Sequence, residues 1–333
     1  MKRILLDKNK HFYKANLHCH STVSDGTKTP EELKQMYMEK GYSIIAYTDH
    51  NVLIDHSNLT DGNFLALNGY ELDISENGKD MHDFKTCHLC LIALKPDNTK
   101  QVCYHREKYI WGNAEKYREL VNFDASKPDF VREYTSECVN TAIAEGRKNG
   151  FFVTYNHPVW SLESYDIYTK YHGMNAMEIC NFGCVEAGYP DYNEKEYDDI
   201  LRCGEKIYCI AADDNHNYHN DSFGGFTFIN AERLEYTTVT EALEAGKIYA
   251  SEGPEIYSLW YEDGKIGVEC SKAVSIRLNT AGRRAEAVYA TETENLTSAS
   301  FDIKDEDIYV RVTVTDAAGK HANTIAYFVE DLK

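Results

Sequence analysis

His18 and His20 stand two residues apart, so on an extended chain both imidazoles point to one face and can reach a single metal ion. With 13 histidines in 333 residues, a pair this short arises readily by chance, and its company gives it weight. Asp25 precedes Gly26, His50 follows Thr48 and Asp49, Glu71 follows Gly69 and Tyr70, and His88 stands alone. His157 lies between Asn156 and Pro158, and Asp214 and His216 flank Asn215. Six histidines and three carboxylates make nine candidate ligands. Imidazole and carboxylate suit zinc, manganese or iron(II). A carboxylate that bridges two ions about 3.5 to 4 Å apart lowers the pKa of a shared water and clamps phosphoryl oxygens. Asp49 and Asp213 each adjoin a candidate ligand, and a hydrogen bond to a ligand imidazole suits them better than metal contact. His82, His105, His172 and His219 fit no such pattern and read as surface or lining histidines.

The elements that must position these groups are written in short apolar runs. Thr29 can cap a helix with Pro30 at its first position and Glu32 closing a capping box; Leu33, Met36 and Tyr37 make its apolar face, and Gly41 stops it. Residues 42–47 then read as a buried strand that runs into Thr48, Asp49 and His50. The same arrangement recurs where 64–67 precede Glu71, 151–154 precede His157, and 207–212 precede Asp213 and Asp214, with helix-like stretches such as 139–148 between them. His88 differs, lying inside the strand-like run 87–94. Alternating helices and apolar strands predict a parallel α/β sheet or barrel, and ionisable residues at successive strand ends predict its catalytic face. Residues 96–137 interrupt the rhythm with Tyr104, Tyr109, Trp111, Tyr117, Phe123, Phe130 and Tyr134, an insertion whose aromatics read as core rather than substrate platform, although its position leaves a lid open. After Gly253 and Pro254 the pattern changes to period two, with Ile308, Val310, Val312 and Val314 alternating, which predicts a small β-sandwich over 254–333 behind a barrel over 1–253.

Composition narrows the classes. Hydrophobic residues make 43% of the chain and charged ones 27%, a globular balance, and the length predicts about two domains. A net charge of -19 disfavours a nucleic-acid or anionic-membrane partner and leaves a small anionic substrate in need of local cations. Neither an export signal nor a membrane span is written in the residues given, so a cytoplasmic protein is expected. The 10 cysteines, scattered and without a second CxxC to match Cys87 and Cys90, read as reduced thiols.

Taken together, the motifs from His18 through Asp25, Thr48 to His50, Gly69 to Glu71, His88, Asn156 to Pro158, and Asp214 to His216 resemble the polymerase and histidinol phosphatase (PHP) domain over residues 12–220. The segments 177–181 and 223–253 and the trailing β-domain are similar to its CehA/McbA-type metallohydrolases. The resemblance implies a distorted (β/α)7 TIM-like barrel binding up to three divalent ions. One would be held by His18, His20, Glu71 and Asp214, a second by Glu71, His88 and His157, and a third by Asp25, His50 and His216. Asp25, Asp214 and His216 would take part in catalysis, with a metal-bridging hydroxide as nucleophile and His216 as a proton source for the leaving oxygen. The expected function is a phosphoesterase acting on a small phosphorylated metabolite such as a nucleotide or sugar phosphate. An ester, carbamate or amide hydrolase on the same ions stays open, as does a non-catalytic metal-containing binding module. A cluster of cations aimed at a phosphate would discriminate, and Lys79, Lys85, Arg106, Lys108 and Arg147 are candidates by position. The oligomeric state is not legible.

Overall fold

The computed structural model describes residues 2–77, 83–291 and 294–333. Lys79 and His82, both named above, lie outside the described residues. Helix Pro30–Glu39 begins as its sequence predicts: Thr29 Oγ1 accepts from Glu32 N at 3.2 Å, and the Glu32 carboxylate accepts from Thr29 N at 2.8 Å. Leu33 and Tyr37 are buried, and the chain passes Gly41, at φ +77°, into the wholly buried strand Ile44–Tyr47.

Strands His11–Asn16, Ile44–Tyr47 and Leu65–Ser75 pair in parallel, and Phe151–Tyr155, Ala176–Asn181 and Tyr208–Ala212 form a second parallel run. Strand Thr86–Ala93 joins the two runs and is antiparallel to both neighbours. The expected closed (β/α)7 barrel is corrected here to a mixed, open ladder. Parallel neighbours need a crossover of a dozen or more residues, and residues 76–85 are too few for one. Between Tyr208–Ala212 and His11–Asn16 the contact is made by irregular backbone: Asp214 N donates to His18 O at 3.0 Å and His20 N to Asn215 O at 3.1 Å. The interior is filled by Ala15, Ile44, Ala46, Leu67, Ile92, Phe152 and Ile210, and helix Ser136–Lys148 covers the outside with Val139, Ala142 and Ile143.

Within the insertion, Tyr104, Ile110, Ala114 and Val121 form a small core with Val23 and Val52, against which Tyr117 and Phe123 pack. Phe130 and Tyr134 pack on the main core. Most of its aromatics are therefore structural, as their composition predicts.

Strands Tyr309–Thr315, His321–Thr324, Ser275–Thr280 and Ala285–Tyr289 continue the large sheet from Ile248–Ser251. A second sheet holds Arg3–Leu6, Ile256–Glu262, Lys265–Ala273 and Leu296–Asp302. Leu6, Leu259 and Val268 from this sheet share a core with Ile276, Val312 and Val314 from the other. One of the two facing sheets is thus continuous with the sheet that carries the site, and the first strand of the chain pairs with Ile256–Glu262. Both faces of Tyr309–Thr315 are buried: on the side away from the valines, Arg311 makes a bidentate pair with Asp198 at 3.0 Å and reaches Glu194 at 3.2 Å, both on helix Glu194–Arg202.

Candidate metal centre

The nine candidate ligands come together at one end of the sheet. His18 and His20 lie just beyond strand His11–Asn16, His50 beyond Ile44–Tyr47, His157 beyond Phe151–Tyr155, and Asp214 and His216 beyond Tyr208–Ala212. Glu71 and His88 sit within strands, and the register that pairs Glu71 with Cys90 and Asp73 with His88 puts both side chains on the inner face. Asp25 arrives on the loop before helix Pro30–Glu39, in a turn where Gly26 N donates to Ser21 O at 2.8 Å. A Cβ on Gly26 would stand 2.5 Å from His20 O, which explains why glycine follows this aspartate. His157 (φ 28°) and Asp214 (φ 51°) hold left-handed backbone that ordinary residues adopt at a cost, as is common at functional sites.

Three sets of ligand atoms can be distinguished. In the deepest, Asp214 Oδ1 lies 3.1 Å from both His18 Nε2 and His20 Nε2, which are 3.1 Å apart, and Glu71 lies 3.2 and 3.3 Å from the same two nitrogens. In the second, Glu71 stands 3.0 Å from His88 Nδ1 and 3.1 Å from His50 Nδ1. His157 Nε2 approaches the same Glu71 at 3.3 Å. In the third, Asp25 stands 3.4 Å from His216 Nε2, 3.6 Å from His50 Nε2 and 3.6 Å from His20 Nδ1. His20 and His50 therefore each border two sets, where the resemblance assigns each to one.

The residues fit metal ions on their own geometry. Asp214 Oδ1 and His50 Nδ1 are buried with no hydrogen-bond partner, a costly state that a cation would relieve. Bonds of about 2.0 to 2.1 Å around a tetrahedral ion place its ligand atoms about 3.3 Å apart, close to the spacings of the deepest set. The electrostatics agree. Burial opposes protonation of His18, yet the Asp214, Glu71 and Glu178 carboxylates push its pKa well up. His157, also buried, is raised to about 9 by Glu71 and Asp214. Burial and the His20 charge instead push His50 down to about 4. Glu71 and Asp214 are held well down by the surrounding imidazoles despite burial. The cluster thus calls for positive charge at its centre. It is sealed at the His18 end and open at the other, where Asp25 and His216 side chains are 25% and 26% exposed.

The groups behind the ligands are less legible in the sequence. Glu178, buried in strand Ala176–Asn181, accepts from His18 Nδ1 at 2.7 Å, His157 N at 3.0 Å and Asn181 Nδ2 at 2.9 Å. Its signal was one acid inside the apolar run Ala176, Met177, Ile179. Asn156 Nδ2 donates to Glu71 Oε1 at 3.2 Å and Asn181 Nδ2 to Asp214 Oδ2 at 3.1 Å. Asp49 and Asp213 do not bond ligand imidazoles, contrary to expectation. Asp49 gathers Ser21 and Ser24 backbone and hydroxyl donors, and Asp213 accepts from Phe223 N, Gly224 N, Gly225 N and Tyr37 OH. Asp49 thus fixes the loop between His20 and Asp25, and Asp213 ties residues 223–225 and Tyr37 to the end of strand Tyr208–Ala212.

A cavity of about 570 Å³ opens over Glu71, Asp25 and His216, bordered by Trp111 and Trp160. Its described lining includes no lysine or arginine. Arg106 pairs with Asp129, and Arg147 Nη1 donates to Gly173 O at 3.3 Å. Arg132, buried nearby, donates to Asp73 Oδ1 at 3.1 Å. His219 lines the cavity, His105 Nδ1 accepts from Glu107 N and Lys108 N, and His172 pairs with Glu205. All 10 cysteines are free of disulfides. No helix among the described residues is long and apolar enough to cross a membrane.

A family model described as the PHP domain matches residues 16–215. A stretch of 89 residues, 24% of this chain, is 32% identical to a 5′-3′ exoribonuclease of Haemophilus influenzae, and spans 32% of that relative. A two-domain protein from Bacteroides vulgatus, containing a predicted PHP-like metal-dependent phosphoesterase, aligns over 98% of this chain and 97% of its own with 16% identity and a TM-score of 0.44. An amidohydrolase from Chromobacterium violaceum aligns over 62% of this chain and 89% of its own, with 16% identity and a TM-score of 0.38.

Proposed function

Because the chain belongs to the PHP domain family, matched over residues 16–215, we propose that it is a metal-dependent phosphoesterase hydrolysing a small phosphorylated metabolite. The observation that carries this reading is the convergence of eight of the nine candidate ligands into three adjoining sets joined through His20, His50 and Glu71, with His157 Nε2 3.3 Å from Glu71, sealed below and open toward one cavity. Up to three ions of manganese, zinc or iron, with His157 beside His88 on the second, belong to the proposal. So do a CehA/McbA-type affiliation, a cytoplasmic location, and a division at 253/254 between hydrolase and trailing β-domain. Bound ions would neutralise phosphoryl oxygens and acidify a water at this centre.

The chain's own groups do the rest. Glu178 holds the His18 Nδ1 proton and so leaves Nε2 free to face the cluster. Asn156 and Asn181 fix the Glu71 and Asp214 carboxylates. His216, at the open end, has its Nε2 turned to Asp25 and its Nδ1 to Asp214 O; Nε2 would either hold the third ion or, with only the other sets filled, carry a proton for a leaving oxygen.

The test is phosphate release from nucleotide and sugar monophosphates with manganese or zinc added. His50→Ala and Asp214→Ala should abolish turnover and leave the folded spectrum intact. Full metal-dependent activity in either variant overturns the site. The cavity lining favours a second reading too: with no described lysine or arginine on it, an uncharged ester, carbamate or amide would meet no mismatched charge. Silence toward every phosphate with hydrolysis of such a substrate decides for that reading.

A further inference from the structure

Two side chains that the metal chemistry does not use border the cavity. Trp111 is 47% exposed and Trp160 37%, although both adjoin the buried cluster. The Trp111 ring lies 5.3 Å from that of His50, and the Trp160 ring 5.4 Å from His88 and 5.0 Å from His157. Singly exposed aromatics are ordinary, but two indoles bordering the same cavity form an apolar rim of the kind that marks a ligand groove.

The backbone that carries each ring is held in place. Ile110, beside Trp111, is buried in the small core of the insertion, and Tyr109, at φ 71°, carries the Arg132 guanidinium 4.3 Å over its ring. Gly112 follows at φ 61°, a left-handed turn that glycine makes without strain. On the other side Trp160 N donates to the buried Asp191 Oδ2 at 2.8 Å. Two backbone segments far apart in sequence thus hold two indoles at the mouth of one cavity.

The cavity walls distinguish between ligand classes. Beyond the ligand cluster its surface includes apolar Phe84, Cys184 and Ala187 as well as Asp73, Tyr218 and Asp221. The apolar side chains suit a flat ring, the polar ones can meet the hydroxyls of an attached sugar, and the two carboxylates disfavour a second phosphate.

Resting on the phosphoesterase reading, we propose that Trp111 and Trp160 form a stacking platform for a planar aromatic group carried by the phosphate ester, and that this group is the nucleobase of a small nucleotide. The acidity of the chain, at -19, keeps a long polyanion out and fits a mononucleotide.

Three probes share one phosphoryl group and differ in what it carries: adenosine 5′-monophosphate, phenyl phosphate and ribose 5-phosphate. Each is followed by phosphate release and, independently, by calorimetric binding to the manganese-loaded protein. The adenosine nucleotide is expected to be favoured over ribose 5-phosphate by about tenfold or more, the scale of one base stacked on an aromatic side chain. Trp111→Ala should lower that ratio toward one, and Trp111→Phe should retain most of it. Equal affinity for the nucleotide and ribose 5-phosphate overturns the platform even when both are hydrolysed. A preference for phenyl phosphate alone upholds the platform and overturns the nucleobase. Tight nucleotide binding lost in Trp111→Ala, with no turnover of any probe, upholds the platform and overturns the phosphoesterase reading.

Discussion

Glu178 Oε1 accepts a hydrogen bond from His18 Nδ1 at 2.7 Å, and both side chains are wholly buried. The remaining Glu178 oxygen meets His157 N and Asn181 Nδ2, so every bond at this carboxylate is accepted. Glu178→Gln puts an amide NH2 where a donor already stands. Losing such a partner behind a metal ligand typically costs about 10- to 100-fold in metal affinity. Competition titration with a metal-binding dye should record a loss of that size, and an unchanged affinity would remove Glu178 from the site.

Removing metal should weaken the fold as well as stop turnover. His18, His20, Glu71 and Asp214 crowd polar atoms that an ion would satisfy. A ligand at 100 times its Kd stabilises by about 2.7 kcal/mol, so chelation should lower the thermal midpoint by several degrees and added zinc or manganese should restore it. Asp214→Ala should show no such response. A midpoint indifferent to chelator in the unaltered protein would count against the centre.

Glu163 gives a pH dependence away from the ligands. Burial pushes its carboxyl pKa up, against hydroxyl donors from Tyr134, Tyr155 and Tyr171. A carboxyl raised in the folded state contributes stability in full below its unfolded value of about 4.3 and loses it as pH rises through the folded value. The neutral Glu163→Gln variant lacks that loss. Its midpoint should therefore gain on that of the unaltered protein as pH rises from 4 toward 7, and a gap constant with pH would show that the Glu163 carboxyl titrates alike in the folded and unfolded states.

Arg311 ties the trailing strands to the site-bearing sheet. It is 2% exposed and pairs with Asp198 and Glu194 on the helix that leads into Tyr208–Ala212 and so to Asp214. Arg311→Ala leaves two carboxylates facing a cavity and should destabilise by about 3 to 5 kcal/mol. Denaturant unfolding measures it; a loss under about 1 kcal/mol would make the pair a surface ornament on the scale of exposed salt bridges.

The ligand types, and the strand ends that carry His50, His157 and Asp214, were legible in the residues alone: each of these follows a short apolar run, as at 42–47 before His50, and local burial needs no knowledge of partners. Glu71 was expected just past the end of its strand and lies within strand Leu65–Ser75 instead. The capped start at Thr29 was equally local. Strand direction was not: Thr86–Ala93 turns antiparallel because too short a link precedes it, and the apolar pattern of a buried strand is the same in either direction. Nor could spacing tell that Trp111 stands open while Tyr104 and Phe123 are packed, since exposure depends on what the remainder of the chain covers. The roles of Glu178, Asp49 and Asp213 likewise rest on contacts between residues distant in sequence, as does the pairing of Arg3–Leu6 with Ile256–Glu262. Sequence periodicity records which residues are buried; the tertiary structure alone decides against whom.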